Sequence, residues 1–378
     1  MRGMEPVATS LLDALARGGR PGRELAVRAD LLRSVGVREA WRRGRDTARR
    51  QRLPRGREQP GYRRLWQAAA EQVGAEFVDL SDGFFEFRRG GVSARVWNHW
   101  VPFDDIVTLQ VALDKALSHR LVSAAGLPIP EHAVFDAGDL APALAFLRST
   151  AAACVVKPLQ GAGGSATTAG VRTPEQLRRA RLRAARRYRR LMIERQVAGD
   201  VYRVLLLDGR LLGAVRRGPP TVTGDGHSTI SELIAAENER RFLASAGART
   251  WLLRADLDAV FALENAGLSL SAVPAEGKRV AVKTTVGQNA AADNETVDDI
   301  VSVALVADAV RAARAVGVRL AGVDLITPDA SLPLDAAGGV ILEVNATPGL
   351  QYHYEVRDPV RATPVMAPIL EALLDTAA

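Results

Sequence analysis

The alternation of hydrophobic and polar residues predicts a small α/β lobe at the start of the chain. Residues 1–60 have a helical, arginine-rich composition, and a further helix is predicted from Tyr62 to Val73. The segments AEFVDL and FFEFRRGGVSARVW then have the character of strands, and turn-forming residues at 81–83 and 90–91 divide them. The lobe is predicted to end near Pro102, which gives a first domain of residues 1–104.

A second domain is predicted over residues 105–192, where the pattern changes. IVTLQVALDKALSHRLVSAAG has the spacing of one amphipathic helix, which Gly126 ends. The strand ACVVKP leads into the glycine-rich loop LQGAGGSATTAGV. The next helix has three start signals, with Thr173 as N-cap, Pro174 at the first position and Gln176 as capping-box partner.

Strands and one long helix dominate the predicted third domain, residues 193–378. LMIERQV crosses into it, and VYRVLLLDGRLLGAVRR is predicted to be a hairpin that turns at Asp208-Gly209. Helices and loops are predicted over residues 229–266, and a strand at VAVKTTV. The helix VDDIVSVALVADAVRAARAVG ends at Gly317, and two last strands, LAGVDLITP and GVILEVNA, flank the loop DASLPLDAAGG.

The length and composition favour a water-soluble protein of two or three lobes. A chain of 378 residues is too long for one small core. No stretch approaches the roughly 20 apolar residues that a membrane helix needs, and the first residues do not form a good secretory signal. Cys154 is the only cysteine, so no internal disulfide can form and a reducing cytoplasm is expected.

The basic charge does not by itself predict a nucleic acid partner. The net charge is +7, and only four of the 50 basic residues are lysine (Lys115, Lys157, Lys278 and Lys283). The arginine run from Arg178 to Arg190 has Tyr188 as its one aromatic residue, and its charges spread around the helix. This pattern favours a solvated helix face, so we do not expect nucleic acid binding.

Three oxygen-bearing residues near the C-terminus are a candidate metal site. Glu343 and Asn345 are two apart on a strand and therefore share a face. Asp324 lies on the preceding strand with apolar neighbours on both sides, where an unpaired charge is costly. Carboxylate and amide oxygens suit magnesium, and manganese could take the same place. Each acid alone could equally cap a loop or pair with an arginine.

A lysine before a glycine-rich loop is a candidate phosphate site. Lys157 ends an apolar strand, and Gly161, Gly163 and Gly164 follow it. Glycines let backbone amides approach a polyphosphate closely, and the ammonium supplies a point charge. No Gly-Lys-Ser/Thr sequence precedes a helix, so this is not a P-loop. A plain surface turn remains the alternative for the loop alone.

Taken together, six segments resemble the ATP-grasp enzymes in content and order. They are Asp114-Lys115, KPLQGAGG, MIERQVAGDVYRV, AVRRGPPTVTGDGHSTISELI, VDLI and ILEVNATPGL. The fourth segment is especially similar to the ATP-grasp module of cyanophycin synthetases and related peptide ligases. The resemblance covers about residues 105–378. It implies an α/β (α+β) ATP-grasp fold, with two α+β subdomains that hold ATP between them after the small N-terminal lobe.

The resemblance also implies roles for individual residues. ATP phosphates would meet Lys115, Lys157 and the loop from Gly161 to Gly164. Adenine and ribose would meet the hinge that contains Glu194, Arg195, Val197 and Asp200. Magnesium would bind Asp324, Glu343 and Asn345. Arg203 and Arg217 would stabilise the transferring phosphoryl group, with Lys283 as a further catalytic candidate.

One segment departs from the related ligases. A glycine- and threonine-rich NLSTGG-like sequence is usual there, whereas this chain has KTTVGQNAAADNETVD. Lys283, Gln288, Asn289 and Asp293 are the functional candidates in that stretch. The interval from Asp324 to Glu343 is also longer than usual, with DASLPLDAAGG as the predicted hairpin insertion.

The expected activity is an ATP-dependent ligase that activates a carboxylate as an acyl phosphate and couples it to an amine. An amino acid or a peptide is the expected substrate class, and a homo-oligomer is expected as for related ligases. Two alternatives remain open from the sequence. One is a nucleotide- or RNA-binding protein that keeps the fold without ligation, and the other is a ligase with a thiol or hydroxyl acceptor.

Overall fold

A computed structural model describes residues 19–52, 59, 61–161, 163–244 and 252–376. The sequence predictions for residues 1–18 and 53–58 lie outside these ranges. The helices are α1 (Gly19–Arg52), α2 (Tyr62–Val73), α3 (Ile106–Leu113), α4 (Lys115–Ala124), α5 (Ala141–Ser149), α6 (Pro174–Ala185), α7 (Ile230–Ala244), α8 (Leu257–Asn265), α9 (Val303–Val316), α10 (Leu334–Ala337) and α11 (Met366–Thr376). The strands are β1 (Glu76–Asp79), β2 (Phe84–Arg89), β3 (Val92–Trp97), β4 (His132–Asp136), β5 (Cys154–Pro158), β6 (Thr168–Val171), β7 (Arg190–Arg195), β8 (Asp200–Leu207), β9 (Arg210–Arg217), β10 (Thr221–Thr223), β11 (Arg279–Ala281), β12 (Asn294–Thr296), β13 (Leu320–Thr327) and β14 (Val340–Asn345).

The N-terminal lobe is the predicted helix followed by an antiparallel sheet in the order β1-β2-β3. The apolar residues of this lobe do not form a separate core. Trp66 and Phe87 pack in one cluster with Leu370 of α11 and with Leu205 and Leu320 of the large sheet. The C-terminal helix therefore joins the lobe to the rest of the protein through buried apolar surface.

A four-stranded antiparallel sheet in the order β4-β7-β5-β6 forms the second layer. Val156 and Ile193 point to the face that packs against α6 and α8, together with the buried Cys154. Because side chains alternate along a strand, Lys157 and Glu194 lie on the opposite face.

The central sheet has five strands in the order β12-β9-β8-β13-β14. Val204 and Val323 pack on one face in the largest apolar cluster, against α9 and α4. The alternate residues on β8 and β13, Arg203 and Asp324, are register partners on the other face. One face of the sheet thus packs on an apolar core. The other face carries the buried Arg203–Asp324 pair and, beside it, Leu205 and Leu320, which pack against the N-terminal lobe.

The helix predicted over residues 106–126 is in fact two helices, so that prediction is wrong. Asp114 has extended backbone angles (φ −86°, ψ 100°) and ends α3. Its side chain accepts hydrogen bonds from the backbone of Ala116 and Leu117, so it is the N-cap of α4. Local capping by a carboxylate has overridden the continuous amphipathic pattern.

Two further boundaries differ from the prediction. The helix expected from Val297 begins at Val303, because the Ser302 hydroxyl accepts the backbone amide of Leu305 as N-cap. The strand expected at VAVKTTV is restricted to Arg279–Ala281. In contrast, the hairpin turn at Asp208-Gly209 (φ 50° and 79°) and the Thr173–Gln176 capping box are confirmed.

Helix α1 is interrupted at Gly36 (φ 78°, ψ 163°), and each of its two parts is bonded to other helical segments. Asp30 accepts a 2.9 Å bond from Arg179 of α6, and Glu24 holds Arg186 with two bonds of 2.7 Å. Farther along α1, Arg42 donates to the Ser231 hydroxyl of α7 at 3.0 Å. Part of the predicted arginine face on α6 is therefore engaged in ion pairs within the chain.

The domain boundaries at 104/105 and 192/193 stay predictions. Strand β7 continues past residue 192 to Arg195, and α3 and α4 pack mainly on the central sheet. Within the described ranges, no helix combines the length and apolar character that crossing a membrane requires.

Candidate functional site

The charged faces of the two larger sheets approach each other beside helix α4, where one lysine contacts both. Lys115, the first residue of α4, is 2.8 Å from Glu343 of β14 through its Nζ atom. The same ammonium donates to the backbone carbonyl of Gly161 at 2.9 Å. One lysine therefore connects the predicted metal strand with the start of the predicted phosphate loop.

A second buried ion pair lies on the four-stranded sheet. Lys157 and Glu194 are 2.8 Å apart, and both side chains are almost completely buried. The neighbouring strands β5 and β7 bring them together, since Lys157 faces Met192 and Val155 faces Glu194 in the register. The Glu194 carboxylate thus neutralises the lysine that was predicted to meet phosphate.

Arg203 and Asp324 form a bidentate salt bridge on the central sheet. The Arg203 Nε and Nη2 atoms donate to the two Asp324 oxygens at 2.7 and 2.8 Å. Burial alone raises the pKa of Asp324, but the charge and hydrogen bonds of Arg203 outweigh it and hold that pKa below its ordinary value. The amide of Asn345 also donates to Asp324, at 3.1 Å.

Arg217 is the exception among the buried cations in the described part of the chain, because it has no carboxylate partner. Its Nη2 donates to the Val286 carbonyl at 3.4 Å, and its guanidinium lies 3.9 Å from the ring centre of Tyr352. Its Nε atom is buried without a hydrogen bond. Burial lowers the pKa of Arg217, and the nearby charge of Arg203 adds to that effect. The guanidinium nevertheless stays charged, since arginine does not deprotonate in proteins.

The predicted metal ligands share one face of the central sheet. Asp324 is paired in register with Glu343, and Gly322 with Asn345. The described residues hold no cluster of three or more histidine, cysteine or acidic side chains, so two carboxylates and one amide are the donors at this face. Hard oxygen donors in this number fit Mg²⁺, which usually keeps several waters. The ion would share Asp324 with Arg203 and Glu343 with Lys115.

The predicted adenine hinge lies between β7 and β8. The backbone amide of Arg195 donates to Glu131 at 2.8 Å, and that of Gln196 donates to Ala153, also at 2.8 Å. Val197 is half-buried and follows directly. Asp200 is exposed and accepts a 3.1 Å bond from Arg216. These roles in nucleotide binding stay predictions.

The glycine-rich loop contains the conformations that only glycine adopts readily. Gly163 and Gly164 have φ angles of 63° and 68°, in the left-handed region. The loop touches the turn at residues 286–288, where a Cβ built on Gly287 would lie 2.7 Å from the Gly163 carbonyl oxygen. This turn belongs to the segment that departs from the related ligases.

The other candidates in that segment are engaged in local structure. Lys283 is buried and 2.8 Å from Asp256, which also pairs with Arg183 of α6. The Asn289 amide donates to the Gly218 carbonyl at 3.0 Å, and the Gln288 side-chain oxygen accepts the Arg254 amide at 2.9 Å. A catalytic role for Lys283 stays a prediction.

Two histidines lie beside the site. His119 of α4 is buried, and burial together with Lys157 lowers its pKa to about 3, so the ring is neutral. His353 is fully buried, with its pKa lowered to about 3 by burial and by the two arginines, Arg203 and Arg217. The only sequence signal for His119 is its position four residues after Lys115, which places both on one helix face.

Comparison with known proteins gives relatives over about three quarters of the chain. No family model matches. The chain is 31% identical to cyanophycin synthetase of Trichormus variabilis over 288 residues, 75% of this chain and 32% of that protein. It is 27% identical to the glutathione biosynthesis bifunctional protein of Mannheimia succiniciproducens over 298 residues, 76% of this chain and 39% of that protein. The chain thus spans about a third of the length of the curated relatives it matches.

Solved structures show the same fold. The crystal structure of a bifunctional glutathione synthetase from Pasteurella multocida aligns with a TM-score of 0.55 at 20% sequence identity. The alignment covers 85% of this chain and 44% of the other. The likeness therefore includes parts of the chain beyond the segments recognised in the sequence.

Proposed function

This chain is a member of the ATP-grasp superfamily that resembles the cyanophycin synthetases, and on that premise we propose that it is an ATP- and magnesium-dependent ligase. It would join a carboxylate to an amine and release ADP and phosphate. The observation that carries the proposal is the set of buried cations on these facing sheets, in which Lys115, Lys157 and Arg203 are each balanced by a carboxylate and Arg217 is not. An excess positive charge held without a partner suits an anionic ligand.

On binding, the nucleotide phosphates would replace the carboxylates that pair with two lysines in this structure. Lys115 and Lys157 leave Glu343 and Glu194 to meet the phosphates, and the amides of Gly163 and Gly164 cover them. Adenine lies against the hinge at residues 194–197, with Asp200 near the ribose. Asp324, Glu343 and Asn345 would hold magnesium or manganese. A bound ion supplies positive charge that offsets the charge of the polyphosphate.

Arg217 and Arg203 act on the transferring group. Carboxylates are poor electrophiles, so the γ-phosphoryl group is first transferred to the substrate carboxylate, which gives an acyl phosphate. Tyr352 holds the Arg217 guanidinium in place while its unused donors face the negative charge that develops. An amine then attacks the acyl carbon, loses a proton and displaces phosphate. The protein contributes mainly position and charge in both steps.

We propose that the carboxylate substrate and the amine substrate are each an amino acid or a peptide. Support comes from relatives whose names concern cyanophycin and glutathione synthesis, although this chain corresponds to only part of each. A cytoplasmic location with access to ATP belongs to the same proposal, and a homo-oligomer stays a prediction.

The proposal is tested by ADP release from purified protein with ATP and Mg²⁺, against pooled amino acids and dipeptides. Lys157→Ala and Glu343→Ala should each abolish the substrate-dependent release. Lys278→Ala is the matched control, because Lys278 is an exposed lysine in a turn and its loss should leave the rate unchanged.

Near-normal ADP release from both site variants would reject the site. Binding of ATP without release, across amine, thiol and hydroxyl acceptors, would instead favour a nucleotide-binding protein without ligase activity.

A further inference from the structure

Helix α4 contacts the candidate metal strand at two successive residues. Lys115 and His119 are four residues apart, so their side chains lie one above the other on the buried face of the helix. Lys115 pairs with the Glu343 carboxylate at 2.8 Å. His119 Nε2 is 3.0 Å from the backbone carbonyl oxygen of Leu342.

Leu342 is the extra residue of a β-bulge. On β13 the consecutive residues Asp324 and Leu325 pair with Glu343 and Ile341, so Leu342 has no partner in this ladder. A bulge bends its strand and changes the direction of the adjacent side chain. Here the adjacent side chain is Glu343, which the bulge directs toward Asp324 and Lys115.

His119 provides a hydrogen bond to the carbonyl of Leu342, the residue that has no partner in the ladder. A carbonyl oxygen only accepts, so the proton of the neutral ring lies on Nε2. The ring is buried, with its edge against His132 at a centroid distance of 5.0 Å. On the other side of the bulge, the amide of Ile341 donates to Pro128 at 2.8 Å. Two bonds from outside the sheet therefore hold the irregular backbone.

We propose that His119 is a positioning residue that fixes Glu343 for metal binding through the carbonyl of Leu342. The inference rests on the proposed function, because it needs Glu343 to be a metal ligand. His119 does not touch the metal or the nucleotide in this scheme. Loss of His119 should leave the Glu343 side chain less well oriented and so weaken metal binding. Residues that hydrogen-bond to the segment carrying a metal ligand typically change metal affinity by about 10- to 100-fold when they are replaced.

The test compares His119→Leu, which removes the donor, with His119→Gln, whose amide can reach the same carbonyl. Mn²⁺ binding to the ADP complex is measured by electron paramagnetic resonance, and ADP affinity is measured separately in EDTA. The leucine variant should weaken Mn²⁺ binding about 10- to 100-fold with little change in metal-free ADP affinity. The glutamine variant should recover most of the loss.

Ser118→Ala is the matched control on the same helix, since the buried Ser118 hydroxyl has no hydrogen bond within the described structure. It should leave Mn²⁺ binding unchanged. Should the leucine variant fail to fold, His119→Met takes its place. Unchanged Mn²⁺ affinity in the leucine or methionine variant overturns the role of His119 and leaves the proposed function intact. Failure of the unaltered protein to bind Mn²⁺ with ADP overturns both.

Discussion

At the scale of single residues, the two arginines on the charged face of the central sheet differ in their partners. Arg203 is matched by Asp324 through two short hydrogen bonds, whereas Arg217 rests on Tyr352 and a long bond to a carbonyl. A buried charge left alone costs far more than a balanced pair, so loss of Arg203, which leaves Asp324 alone, should cost more stability than loss of Arg217.

Replacing each arginine by methionine tests this difference. Arg203→Met leaves the Asp324 charge buried without its cation and should lower the free energy of unfolding by about 3–5 kcal/mol. Arg217→Met leaves no carboxylate behind and should change it by about 1 kcal/mol or less, while ADP release falls about 100- to 1,000-fold. Urea unfolding and the ADP assay measure the two effects.

Arg203→Met combined with Asp324→Leu is the control for the first effect. The double variant should regain much of the stability, because the buried pair is replaced by apolar groups. Equal destabilisation by the two single arginine variants would contradict the assignment.

The face shared by Asp324, Glu343 and Asn345 could be predicted from alternation along two strands. Their partners could not, because Lys115 and Arg203 lie far away in the chain and reach the site only through sheet order and the position of α4. The role proposed for His119 could not be predicted either, because it also depends on contacts between residues far apart in the chain. It depends on a bulge, and the hydrophobic pattern of β14 carries no sign of one.

At the scale of elements, the segment after β11 shows how loop contacts can shape a site. Its short turn at Val286–Gln288 lies against the glycine-rich loop, and Arg217 donates to the Val286 carbonyl. The expected strand stops at Ala281, and farther along the Asp258 carboxylate accepts the backbone amide of Thr285 at 3.3 Å in place of a strand partner. Sequence periodicity does not reveal such bonds.

Gly287→Ala should disturb the glycine-rich loop without altering any charged group. The added Cβ would lie 2.7 Å from the Gly163 carbonyl oxygen, closer than ordinary contact, so the loop or the turn must shift. A misplacement on the order of 1 Å should lower kcat/KM for ATP about 100-fold. Steady-state kinetics measure it.

Gly44→Ala is the control for this change, since its Cβ would meet nothing within 4 Å. Its kinetics should match those of the unaltered protein. An unchanged kcat/KM for Gly287→Ala would show that the contact does not matter for nucleotide binding.

At the scale of the whole molecule, buried histidines should make the protein sensitive to acid. Burial lowers the pKa of His99 to about 4, and the pKa values of His119 and His353 to about 3. Unfolding returns each ring to water, where its pKa is near 6.5. Between these values the unfolded chain binds more protons, so the free energy of unfolding falls as the pH is lowered from 7.

His353→Phe removes one of these rings and should make that fall shallower. The unaltered histidine costs ~2 kcal/mol of stability between pH 7 and pH 5, which the phenylalanine variant does not lose. Urea unfolding at both pH values measures the difference. The same loss in both proteins would contradict a neutral, buried His353.

The break in helix α1 at Gly36 has a consequence for motion. The part before Gly36 is bonded to Arg179 and Arg186 through Asp30 and Glu24, and the part after it is bonded to α7 through Arg42. The sheet that bears the glycine-rich loop and the small unit around β10 and β11 are therefore connected by α1 through a glycine and not through a continuous helix. Any relative motion of these two units would be taken up in α1 at Gly36, whose backbone has the widest conformational freedom.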